Sequence, residues 1–203
     1  IYARAYRLFD AGNNISYLFS VILLPLFAAV IKKGEDLQSL VKQSFSLMLT
    51  MTCIIAVVCI FYSHNLMELL YTIQENESIE TYNLRISESS TILQILMGSF
   101  VSISITYIFG TLLTANGNLK QLNIVAAIGV IINLTLNFIF IPIFEARGAA
   151  CTSLCVQFAT CVIQLLIAKS IFNLKFGVSF WLSIVSFITL LVVSTSLLKS
   201  INV

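Results

Sequence analysis

Four polar side chains near the start of the chain fall on one line. Arg7, Asp10, Asn14 and Tyr17 are spaced i, i+3, i+7 and i+10, which on a helix makes a single stripe over three turns. Arg4 lies one turn before it. Arginine carries a planar fork of donors that grips phosphate or carboxylate through two bonds at once. Beside a membrane span such a residue is costly unless it faces water, a partner or a cavity. Two readings follow from the residues alone. The stripe lines a polar cavity and holds an anionic ligand, or Arg7 is an interfacial anchor reaching lipid headgroups. Arg7 to Ile31 would make ~36 Å of helix, longer than the ~30 Å hydrocarbon core, which places Arg7 near an interface.

The other polar residues inside apolar runs read as packing. Gly129, Asn133 and Asn137 are four apart and share a helix face, where glycine permits close approach and asparagine bonds across to a neighbour. Gly148, Ala149, Thr152 and Ser153 make a second face of small residues. His64 is the chain's single histidine, at the end of an apolar run and four residues before Glu68. That pair is the nearest thing to a catalytic cluster, and nothing beside it marks an enzyme. Cys53, Cys59, Cys151, Cys155 and Cys161 all lie in apolar runs without a C-x-x-C pair, so neither a disulfide nor a metal site is expected. No cofactor is implied.

These residues must be carried by a membrane protein. The 203-residue chain is 59% hydrophobic and 10% charged, with a mean hydropathy of +0.99. A soluble domain carries roughly 25% charged residues. Net charge is +2 with no basic cluster, so nucleic acid is not an expected partner, whereas membrane lipid is. A crossing needs roughly 20 apolar residues. Helices are expected at about 2–31, 41–62, 91–115, 119–143, 148–171 and 178–198, six spans in an all-α bundle forming one transmembrane domain over residues 1–203. Pro25 should kink the first span and Pro142 should end the fourth. Residues 66–90 form the one long polar stretch. The first residues, I-Y-A-R-A-Y-R, carry no signal peptide, and the chain reads as part of a longer protein.

Lysine and arginine set the expected orientation. Lys32, Lys33, Lys42, Lys120, Lys169 and Lys175 would lie on one side. Arg85, Arg147 and Lys199, with Arg4 and Arg7 if counted, would lie on the other. The loops at 32–42, 115–120 and 169–177 are therefore expected in the cytoplasm and the 66–90 stretch outside.

Several short motifs share one order and spacing. A-Y-R-L-F is followed by I-L-L-P-L-F ahead of a K-x-G loop. Then come L-x-A-N-G-N-x-K, I-N-L-x-L-N-x-x-x-I-P and G-A-A-x-T-S. Together they resemble the carboxy-terminal region of polysaccharide flippases. The likeness extends to lipid II flippases of the multidrug/oligosaccharidyl-lipid/polysaccharide exporter superfamily. It covers nearly the whole chain and is most specific over residues 110–153. It implies one lobe of a two-lobed transporter, with the amino-terminal lobe missing. The implied substrate is an undecaprenyl-pyrophosphate-linked oligosaccharide, crossing a bacterial inner membrane without enzymatic chemistry. By the same likeness Arg7 matches an arginine lining the central cationic cavity, with Asp10 where that family carries an acid nearby. One departure stands out: the family usually has a glycine shortly before G-A-A, where this chain has F-E-A-R. Two alternatives belong to other functions. A drug/cation antiporter of the same superfamily would want buried acids, and Asp10 is the one acid against a span. A membrane-embedded glycosyl- or acyltransferase would want an acid or histidine cluster such as His64 and Glu68.

Overall fold

The computed structural model describes residues 2–75 and 77–201. It is all-helical among those residues: α1 (Tyr2–Lys33), α2 (Leu37–Phe61), α3 (Ser63–Leu70), α4 (Ile79–Ala115), α5 (Leu119–Phe172) and α6 (Val178–Ile201). All but α3 are long and apolar enough to cross a membrane. With 54 residues, α5 is long enough to do so twice.

The crossing count resolves at Glu145. Its backbone sits at φ 50°, ψ −125°, the first central position of a type II′ turn, and the helix breaks there. The two arms of α5, 119–144 and 146–172, then run back along each other. Gly129 packs against Thr160, and Asn133 shares a groove with Val156 and Gln157. Gly148 packs directly on the backbone of Phe140. The expected spans at 119–143 and 148–171 are therefore the arms of one hairpin, and the bundle makes six crossings. Pro142 does not end its span, as expected; helix continues through it to Glu145. Proline here forgoes one bond, to Phe138 O, without stopping the helix, and the reversal needs a positive φ, which proline cannot supply.

The polar 66–90 stretch is the second departure. It holds the end of α3 and the first twelve residues of α4, so the helix expected at 91–115 begins at Ile79 instead. Ser78 caps it, its side chain accepting from Thr81 N–H at 3.2 Å, and Glu80 sits in the first turn where the helix dipole favours an acid. Ile86 is fully covered, and Met67 of α3 is buried with it in one cluster. Polar residues here line an amphipathic helix rather than a loop. The remaining boundaries shift by a few residues, as fraying helix ends do.

The centre of the bundle is α4, which touches α1, α2, α3 and α5. Its side chains feed two buried clusters. One gathers Ala5, Phe9, Met67, Leu96 and Phe100 at the amino-terminal end of α1; the other gathers Phe27, Phe45, Phe109 and Leu112 at its far end. Burying a side chain of this size contributes roughly 1.5–3 kcal/mol against water. Inside lipid that drive is absent, and fit and hydrogen bonds decide instead. Gly12 meets the Phe100 ring, Gly98 meets Leu154, and Ser16 and Ser104 share a 2.7 Å hydrogen bond between α1 and α4. These contacts advance together along both partners, so α1, α4 and the second arm of α5 run parallel.

Each end of the bundle is tied. At one end Gln38 bonds the Lys175 backbone twice, at 3.2 and 3.3 Å, joining the 34–36 and 173–177 loops. The turn at 116–118 lies at the same end, because α4 runs parallel to α1. At the other end Arg147 meets Glu88 at 2.6 Å and the Lys199 amine donates to Phe61 O at 3.0 Å. There too Arg85 grips Glu77 through two bonds, at 2.7 and 2.6 Å, with about nine-tenths of both side chains buried. The carboxylate of Glu77 also accepts from Gln74 N–H at 3.0 Å, so the pair folds the segment between α3 and α4 against the bundle.

Candidate functional site

All four stripe residues face outward from the described bundle. Arg7, Asp10, Asn14 and Tyr17 are exposed, while the opposite side of α1 buries Ala5, Phe9, Ser16 and Ser20. Arg7 and Asp10 form no ion pair with each other or with any other described residue. Both charges are therefore presented rather than consumed.

The stripe runs between two clefts. At its amino-terminal end Arg4, Arg7, Leu8, Leu70 and Tyr71 line a cleft of about 280 Å³. Here Arg4 is held in place. Its guanidinium lies 4.9 Å from the centre of the Tyr71 ring, and the Tyr71 hydroxyl donates to Arg4 O at 3.1 Å. The Tyr71 carbonyl in turn accepts from the Tyr82 hydroxyl at 3.1 Å. Nη1 of Arg4 is buried with no hydrogen-bond partner among the described residues. A cation stacked on a ring and left with a spare donor is a ready anion ligand.

At the other end Tyr17 opens a larger cleft of about 460 Å³ between α1, α4 and the second arm of α5. Ser20, Thr106, Tyr107, Thr111, Thr114 and Gln164 give it polar walls, and Tyr17 and Tyr107 meet edge to face with ring centres 6.0 Å apart. Gln164 is 9% exposed, and its Oε1 has no partner among the described residues. Gly110 makes room for it: a Cβ there would stand 3.1 Å from that oxygen.

Sequence reasoning identified the α1 stripe but missed the α4 wall. The signal was present, since Tyr107, Thr111 and Thr114 are spaced i, i+4 and i+7. Ser99, Ser102 and Ser104, earlier on the same helix, are buried instead. Gln164 carries no sequence signal beyond being an amide in an apolar run.

The residues read as packing lie elsewhere, on the α5 hairpin. Gly129 is buried and Gly148 sits at the turn. The asparagines behave differently from expectation. Asn137 Nδ2 donates to Asn133 Oδ1 at 2.9 Å, so they satisfy each other along one helix rather than reaching a neighbour. Their i, i+4 spacing makes that bond geometrically easy. His64 and Glu68 stand 3.6 Å apart on α3, both about half exposed. The chain matches no protein-family model, and no curated protein is similar to it.

Proposed function

We propose that this chain is the carboxy-terminal lobe of a flippase. It would move undecaprenyl-pyrophosphate-linked oligosaccharide from the cytoplasmic to the periplasmic face of a bacterial inner membrane. One observation carries the reading: an otherwise apolar, membrane-length helix presents Arg7, Asp10, Asn14 and Tyr17 outward along one face. Such a stripe of charges and polar groups running from the interface into a span is costly against lipid. A second lobe across a wet central cavity would remove that cost, as in transporters built of paired repeats. The arginines would hold the diphosphate and the polar groups would accompany the sugar. The motif likeness over residues 110–153 points the same way.

The test uses the full-length protein in its own cell. Depleting it should lower surface glycan and leave lipid-linked oligosaccharide on the inner leaflet. Unchanged surface glycan with no such build-up would sink the proposal.

The same reading places the 32–42, 115–120 and 169–177 loops in the cytoplasm, in line with their six lysines. Glu80 and Lys120 are exposed at opposite ends of the bundle. In intact cells Glu80→Cys should react with an impermeant thiol reagent and Lys120→Cys should not; the reverse result would invert the orientation.

A further inference from the structure

We infer that the cleft between Tyr17, Tyr107, Thr111 and Gln164 is a binding subsite for a neutral, hydroxyl-rich ligand, the carbohydrate class, separate from the anion-holding arginines. This rests on the transport reading for its physiological ligand and deepens it.

The walls carry the argument. Among the lining residues none is charged. An ion or diphosphate would find no countercharge there. What the cleft offers is a pair of aromatic faces, several hydroxyls and one amide, which together suit a ring with an apolar face and hydroxyl edges. Three of the hydroxyls already spend their protons on the backbone: Ser20 donates to Tyr17 O, Thr106 to Ser102 O and Thr114 to Gly110 O. Their oxygens are left as acceptors. Gln164 Oε1 is another acceptor, buried beside Gly110 and unmatched among the described residues. The cleft thus sets these acceptors beside the hydroxyls of Tyr17, Tyr107 and Thr111, which can donate or accept. A sugar brings several O–H groups at once, and neither a lipid tail nor a phosphate brings any comparable set.

The unmatched amide is the sharper half of the case. A buried acceptor without a donor costs roughly 1–3 kcal/mol. An apolar residue of similar size would avoid that cost, and inside lipid it would meet no objection from neighbours such as Val21 and Leu24. Along α1 the cleft begins ten residues after Arg7, ~15 Å of helix, so one molecule with an anionic end and a glycan could engage both sites.

The experiment uses full-length protein in lipid nanodiscs. Saturation-transfer NMR is recorded with four neutral probes, maltotetraose, chitotetraose, cellotetraose and xylotetraose, and inorganic pyrophosphate is added as competitor. Transfer to at least one tetrasaccharide is expected, unaffected by pyrophosphate, retained in Arg7→Ala and lost in Gln164→Leu and Thr111→Val. The Gln164→Leu protein should melt at the same temperature as the native protein or higher, because the orphaned acceptor is gone. No transfer to any probe overturns the subsite, as does transfer that survives both cleft variants. A lower melting temperature in Gln164→Leu with binding intact would make the glutamine structural and overturn it too. Saccharide binding without any export phenotype on depletion would keep the subsite and remove the transporter.

Discussion

On the proposed transport reading, replacing Arg7 by alanine in the full-length protein is expected to stop export of the lipid-linked glycan, while the protein accumulates at its normal level. Arg7 is exposed and has no partner among the described residues, so its loss removes no internal contact and leaves no buried group stranded. Three single variants and one double separate three roles. If arginine binds a diphosphate through its planar fork, Arg7→Lys should recover only part of the transport, since an ammonium keeps the charge and loses the paired bonds. A charged, doubly bonded contact of this kind is worth roughly 1.5–3 kcal/mol, or about a 10- to 150-fold loss. If Arg7 merely anchors the helix in headgroups, lysine should replace it in full. A structural pair with Asp10 would make Asp10→Ala equally damaging and the double variant milder than the sum. The geometry speaks against the pair, because no Arg7–Asp10 bridge forms. Full transport in Arg7→Lys, measured as surface glycan, would end the anion-binding role and leave the remaining cleft arguments untouched.

The largest effect on folding is expected at the α5 turn. A Cβ on Gly148 would overlap Phe140 O and stand 2.6 Å from that carbonyl carbon and 3.1 Å from Ile141 N. All three atoms are backbone, so no rotamer can give way. Overpacking typically costs 1–3 kcal/mol and more where nothing moves; Gly148→Ala should therefore yield little folded protein in detergent by size-exclusion chromatography. Gly129→Ala is the contrast. Its Cβ would meet the Thr160 methyl at 3.2 Å, and a side chain can shift by tenths of an ångström. That variant should fold. In the same turn Glu145→Gly should raise the melting temperature, because an L residue at φ 50°, ψ −125° stores roughly 1–3 kcal/mol. Part of the gain is returned as chain entropy. A folded, fully stable Gly148→Ala protein would mean that the arms are not packed as described.

Glu145 also shows where sequence reading succeeded and where it stopped. The charged F-E-A-R was legible as a departure from an expected glycine. That the departing residue itself takes the glycine-like backbone could not be read, because a positive φ leaves no trace in hydropathy. All six crossings stood out by length and composition alone. The full reach of α4 did not, since its first twelve residues pack with α3 and look, by composition, like a polar loop. The α1 stripe was readable because four polar residues interrupt an apolar helix at helical spacing. The cleft it joins was not, because Gln164 reaches it only through a neighbour's glycine on another helix. Contacts between distant segments are set by packing, and a single sequence does not display them.

The uninterrupted length of α4 has a mechanical consequence. At 37 residues it is ~55 Å long, with no proline, longer than a ~30 Å bilayer, and its polar residues gather toward the Ile79 end. One end is gripped by α3 and Arg147; the other carries Tyr107, Thr111 and Thr114 into the larger cleft. A rod pivoting near its middle moves its ends in opposite senses. A tilt of about 10° carries each end ~5 Å, enough to narrow a gap at one face while widening one at the other. A load on the Ile79 end would therefore be felt at the Tyr107 cleft with its sign reversed.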